Sequence, residues 1–126
     1  METGAKLLTI IPVLPSADIK RDVAWYKAKT GFECIFSDDK YAILRRDYIC
    51  LHLQWHANTA NDPLLGGSVV RLQGSNIKVL FEEFVKRGAV PPHKFDVNTP
   101  WGTNEFGFFD LNNNAIFIME DIEIYA

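Results

Sequence analysis

Three histidines, two cysteines and three tryptophans carry the side chains best suited to chemistry in this chain of 126 residues. Cys34 and Cys50 each sit inside an apolar segment with no CxxC spacing, so neither a zinc site nor a disulfide framework is expected. Buried free thiols are the reading for both. His52 alternates with Leu51 and Leu53 and so shares one strand face with Cys50 and Gln54. It is either a satisfied structural group or a hydrogen-bonding group in a cleft. His56 and His93 lie in or beside loops, where exposure is expected. Trp101 stands in Thr99-Pro100-Trp101-Gly102-Thr103, whose Pro and Gly fix the backbone and present a flat ring from a turn. Such a ring either stacks on a planar ligand or closes the edge of the core. Asp38, Asp39 and Asp47 read as solvated turn acids that would also steer a cation.

The elements that must position these residues follow from periodicity. Leu7 to Leu14 is rich in β-branched residues and reads as a strand stopped by Pro15, with Pro12 implying an edge position or a bulge. After Ser16-Ala17-Asp18, a capping cluster, Ile19, Val23 and Tyr26 recur at helical spacing until Gly31. Phe32–Ser37, Tyr41–Arg46 and Tyr48–Trp55 then form an antiparallel meander. Asn58–Gly67 has loop chemistry and reads as a linker. The order then restarts. Ser68–Leu72 is a strand, and Ile77, Leu80, Phe81, Phe84 and Val85 mark a helix ended by Gly88. Three extended stretches follow, near Lys94–Val97, Asn104–Asp110 and Ala115–Asp121.

Asp18-Ile19-Lys20 registers with Asn76-Ile77-Lys78, and Tyr26 with Phe84. The expected fold is therefore α+β, one domain over 1–126 made of two βαβββ modules (about 6–56 and 68–122, joined by 57–67) whose curved mixed sheets enclose a cleft. Phe36, Tyr41, Tyr48, Trp55, Phe106 and Phe108 are the strand aromatics expected to line it. Alternation sets Phe106 and Phe108 on one face of their strand and Gly107 and Phe109 on the other, and the first pair is assigned to the cleft.

Composition narrows the function classes. Hydrophobic residues at 48% and charged residues at 23% describe an ordinary globular chain, not a disordered one. Thirteen basic against sixteen acidic residues give a net charge of −3, with the basic residues scattered, which disfavours nucleic acid as a partner. The longest apolar run falls far short of the roughly 20 residues of a membrane span. Met1 to Lys6 lacks the basic and apolar regions of a secretory leader, so a cytoplasmic protein is expected.

Ile11-Pro12-Val13-Leu14 before Asp18-Ile19, and Trp25-Tyr26 before Gly31-Phe32, give the chain an order that resembles the vicinal oxygen chelate superfamily, which includes glyoxalase I, extradiol dioxygenases and bleomycin-resistance proteins. Tyr41–Asp47, Pro100-Trp101-Gly102, and Glu105-Phe106 through Asp110 to Ile118-Met119-Glu120 resemble most the bleomycin-resistance branch. The resemblance covers nearly the whole chain. It implies a homodimer, with exchange of the first strand at Pro12, and metal-independent sequestration of a bleomycin-like glycopeptide or another planar, partly aromatic and cationic compound. Trp101, Phe106, Phe108, Tyr41, Trp55, His52 and Phe36 would be the binding residues. The alternative it implies is a divalent-metal lyase, isomerase or dioxygenase. The superfamily's metal-ligand positions fall at Ile11, His52, Val69 and Phe117, and only His52 offers a lone pair, so no metal, no other cofactor and no catalytic residue is expected.

Overall fold

Asp18 opens the first helix as its sequence predicts: extended at its own backbone, it accepts the Arg21 N–H at 3.0 Å through Oδ1. The helix α1 (Ile19–Thr30) closes at Gly31, whose φ of 76° is the left-handed turn that glycine adopts without penalty. The computed structural model describes residues 4–122; of the segment read for a leader, Met1 to Thr3 lie outside them. Around α1 lie β1 (Val13–Ser16), β2 (Glu33–Ser37), β3 (Tyr41–Arg46) and β4 (Ile49–Trp55), forming a mixed sheet in the order β1-β4-β3-β2 with β1 parallel to β4. The second unit comprises β5 (Val69–Gln73), α2 (Ile77–Lys86), β6 (Thr103–Phe109) and β7 (Ala115–Asp121), in the order β5-β7-β6 with β5 parallel to β7. The fold is α+β with two mixed sheets.

Three expectations about the elements are corrected. The first strand begins at Val13 and runs through Pro15. The carbonyls of Pro12 and Ser16 accept from the N–H groups of His52 and His56 on the β4 side, so Pro15 faces the open edge, where a missing N–H costs nothing. Pro12 faces β4 instead and has no N–H to continue the ladder. Leu7, Leu8 and Ile10 are consequently left outside the sheet, each more than four-fifths exposed. Secondly, Lys94–Val97 makes only one antiparallel bridge, between Asp96 and Glu105, because Pro91-Pro92 precede it and Asn98 turns the chain with a φ of 51°. Thirdly, Cys34 is exposed and Cys50 half-buried. A register shift between Cys34 and Phe36 lies on β2, an edge strand with every residue exposed.

Each sheet turns one face to the helices. Ala42, Leu44, Leu51 and Leu53 of the first sheet, and Leu72, Phe106, Phe108, Ile116 and Ile118 of the second, join Ile19, Tyr26, Ile77, Phe81 and Phe84 of the helices in a single buried cluster. Asn76 begins α2 without a side-chain cap; Glu120 Oε1, from β7, accepts the Ile77 N–H at 3.1 Å in its place.

Two polar assemblies tie the units together. In the first, Asp110 in the β6–β7 turn accepts the Tyr26 hydroxyl at 2.6 Å, the backbone N–H groups of Asn112 and Asn114, and the Asn114 amide. Burial first, and then the Asp110 charge, push the Tyr26 hydroxyl well above the usual phenol range. Asp22 extends the network to Ser16 Oγ and to the Asn112 amide.

In the second assembly, Glu83 on α2 accepts two hydrogen bonds from Arg46 on β3 and one from Arg87, each at 2.7 Å. Arg46 also reaches the Thr30 carbonyl at the end of α1. The Arg46 hydrogen bonds are the main cause holding the Glu83 carboxyl down at about 2. The stability it contributes is complete above its ordinary value of 4.5 and is lost as pH falls toward 2. At one-third side-chain exposure we expect this to amount to about 1–2 kcal/mol. Urea unfolding at pH 7 and pH 3 checks it: Glu83→Gln should be the less stable protein at pH 7 and show the shallower loss on acidification. Parallel losses would contradict the assignment.

Candidate functional site

The faces that the helices leave uncovered carry the polar and aromatic groups available to a ligand. On the first sheet this face presents Tyr41 and Ile43 of β3 opposite Gln54 and His52 of β4, with Val13 of β1 and Phe36 of β2 in the same row as His52. The structure brings Tyr41 and His52 together: the phenolic oxygen lies 2.7 Å from His52 Nδ1, and the rings meet edge to face at 5.2 Å. Phe36 is 49% exposed beside them. The bond to Tyr41 engages Nδ1 and so constrains the imidazole ring.

On the second sheet the uncovered face presents Val69 and Arg71 of β5, Phe117 and Met119 of β7, and Thr103, Glu105, Gly107 and Phe109 of β6. Trp101 belongs here. Its turn is closed by Gly102 N–H to the Thr99 carbonyl at 2.9 Å and by Thr103 N–H to Thr99 Oγ1 at 3.0 Å, with Gly102 at a φ of 83°. The ring is 64% exposed, yet its Nε1–H donates to Glu105 Oε1 at 2.7 Å. Arg71 donates to the same carboxylate at 2.8 and 3.3 Å and holds its guanidinium 5.5 Å from the centre of the Phe117 ring. Arg71, followed by burial in the opposite direction, sets the Glu105 acidity, and the carboxyl lies at about 2. Phe117 fits because Gly107 lies beneath it: a Cβ there would come within 2.6 Å of Cδ1.

Several expected site residues face elsewhere. Phe106 and Phe108 are 1% and 7% exposed and pack on the helix side, against Phe81 and Phe84 of α2 and Trp25 of α1. The assignment of the β6 faces is thereby reversed, and Gly107 and Phe109 share the uncovered face. Trp55 also points to the helices, donating its Nε1–H to the Ala17 carbonyl. The alternation that placed His52 with Cys50 and Gln54 already grouped Trp55 with Leu51 and Leu53. Tyr48 is fully exposed in the β3–β4 turn, off any strand. His56 is half-buried and pairs with Asp62 at 2.7 Å. Arg71, Glu105, Phe109 and Phe117 are the face residues that the sequence did not single out as binding groups.

The two uncovered faces do not close on each other. Among the described residues no hydrogen bond or ring contact joins the Tyr41–His52 pair to the Trp101–Glu105 group. Between the units, segment 9–12 lies along a groove of about 690 Å³ bordered by Arg45, Cys50, Arg71 and Gln73. Among the described residues no three His, Cys, Asp or Glu side chains come together as a metal site. Val69 and Phe117 lie on the uncovered face of the second sheet with hydrocarbon side chains, and His52 hydrogen-bonds Tyr41.

The comparisons with known proteins agree on the architecture. No protein-family model matches the chain. Bleomycin resistance proteins of Geobacillus stearothermophilus and Staphylococcus aureus are 24% identical over 131 residues, spanning 93% of this chain and 99% of theirs. A bleomycin-binding protein solved in complex with bleomycin superposes with a TM-score of 0.76 at 20% identity, covering 91% of this chain and 99% of that one. A glyoxalase/bleomycin resistance protein/dioxygenase from Nocardioides gives 0.74 at 18% identity, covering 96% and 87%. The fold is the one shared by these solved structures, two mixed sheets with a helix in each unit. The relatives in sequence are bleomycin resistance proteins.

Proposed function

We propose that this protein sequesters a planar, partly aromatic and cationic small molecule of the bleomycin glycopeptide class, without a metal and without making or breaking a bond. The observation that carries the reading is Trp101, an indole left 64% exposed but fixed in place by a buried carboxylate. An exposed aromatic ring that has already lost its rotational freedom suits stacking, because less entropy remains to be lost on binding. The likeness to a protein solved with bleomycin bound supports the ligand class. Tyr41, His52 and Phe36 would supply the opposite wall, and the exposed Asp38, Asp39 and Asp47 would attract a cation.

The faces gain depth if two copies of the chain, each a single unit over 1–126 with modules about 6–56 and 68–122, set the first sheet of one against the second sheet of the other. One observation favours this homodimer. Leu7, Leu8 and Ile10 extend beyond Pro12 with no sheet partner of their own chain. In this arrangement the arm before Val13 crosses to the partner with Pro12 as the pivot. We place the protein in the cytoplasm; no helix among the described residues is long and apolar enough to cross a membrane.

Sedimentation tests the assembly: the full chain should run at twice its 14.3 kDa mass, and a variant lacking residues 1–11 should run as a folded monomer. A monomeric full chain would overturn the shared cleft. For the ligand, quenching of tryptophan fluorescence by metal-free bleomycin should saturate at one molecule per subunit. Absence of quenching, or binding that requires an added divalent metal, would overturn the metal-free reading.

A further inference from the structure

Glu105 is the one acidic side chain of β6 on the uncovered face, and it is 3% exposed although its neighbours Trp101 and Phe109 are more than half exposed. Its Oε1 accepts from three side chains of different origin: Arg71 on β5 at 2.8 Å, Trp101 in the turn at 2.7 Å and Thr103 on β6 at 2.5 Å. Its Oε2 accepts a longer bond from Arg71 at 3.3 Å. Its backbone is fixed as well, through reciprocal hydrogen bonds with Asp96 at 2.8 and 2.9 Å. The side chains thus meet in a fan around one oxygen, with β7 between Arg71 and Glu105. Phe117 of β7 lies under this crossing, and Gly107 makes the room for its ring.

This arrangement has a consequence for ligand recognition. An indole on a turn has two side-chain torsions to lose, and among the described residues the bond to Glu105 is the one hydrogen bond that the Trp101 ring makes. Arg71 would confront a cationic ligand with a like charge, and the Glu105 carboxylate cancels that charge at the surface where the ligand would stack. We propose that Glu105 is the positioning residue of the binding face, setting the plane of the Trp101 indole and neutralising Arg71 so that a flat cationic compound is accepted there. The second half of this statement rests on the sequestration reading; the first half does not.

The two halves are separated by two readouts on the full chain. In a ¹H–¹⁵N spectrum the three indole N–H signals are assigned by Trp101→Phe, with Trp25 and Trp55 serving as internal reporters of folding. In the wild-type protein the Trp101 signal should be as rigid as the Trp55 signal. Glu105→Ala should make it mobile while the other two keep their positions. Glu105→Gln keeps an acceptor oxygen for Trp101 and Thr103 and should restore rigidity; it also gives the answer if Glu105→Ala fails to fold. In bleomycin titrations Glu105→Ala should weaken binding at least tenfold, and adding Trp101→Ala should cost little more, since the ring is by then no longer held for stacking. Glu105→Gln should retain the rigid ring and still bind several-fold more weakly, because Arg71 is left uncompensated. A Trp101 signal already mobile in the wild type, or unchanged in Glu105→Ala, overturns the positioning role. Full additivity of Glu105→Ala with Trp101→Ala overturns the coupling. Wild-type protein that ignores bleomycin overturns the sequestration reading alone, and the indole spectra still decide the role of Glu105.

Discussion

Trp101→Ala is expected to weaken bleomycin binding at least tenfold while leaving the unfolding midpoint almost unchanged. The ring is 64% exposed, so its removal exposes little core and opens no cavity. In the complex it would be a desolvated aromatic anchor, the kind of contact on which binding energy concentrates, and its loss costs about 2 kcal/mol or more in comparable interfaces. Trp101→Phe should recover part of the affinity, since the stacking face returns without the N–H donated to Glu105. Equal affinities for the wild type and Trp101→Ala would remove this ring from the site. A large fall in stability would show instead that Trp101 closes the edge of the core.

Asp110→Ala should give the largest loss of stability of any single polar substitution discussed, about 3–5 kcal/mol. Asp110 is 5% exposed, and its carboxylate satisfies the Tyr26 hydroxyl, two backbone N–H groups and the Asn114 amide. Truncation strands these donors in the interior, each at a cost of about 1–3 kcal/mol when water cannot reach it. The loss is a large fraction of the 5–15 kcal/mol typical of a domain, and it strikes the seam between the two units. Asp110→Asn, which keeps one acceptor oxygen, should cost less than half as much. Urea unfolding followed by circular dichroism measures both. A loss under 1 kcal/mol for Asp110→Ala would mean that the turn rearranges and that the seam is held by other contacts.

How far the sequence could be read depended on whether an interaction was local. Asp18, Gly31 and the helical spacing of Ile19, Val23 and Tyr26 act within a few residues of one another, and α1 emerges where they place it. The restart of the same order after the linker gave the second unit and, with it, the two-sheet fold. Alternation separated Phe106 and Phe108 from Gly107 and Phe109 correctly, but it carries no sign. Which pair faces inward was decided by Phe81 and Phe84 of α2, a tertiary contact. Pro15 looked like a strand stop because nothing in its neighbourhood shows that its nitrogen faces an open edge. The Arg71–Glu105 pair escaped for a similar reason: its partners lie 34 positions apart on strands separated by a third. Trp101 was legible because proline and glycine announce a turn, although the carboxylate beneath it was not.

In the proposed function a bleomycin-like ligand enters the cleft without a metal. Isothermal titration of metal-stripped protein with metal-free bleomycin tests it most directly. Submicromolar binding with one molecule per subunit, unchanged by a chelator, is expected; no heat at all, or heat that appears only when a divalent metal is restored, would contradict metal-free sequestration.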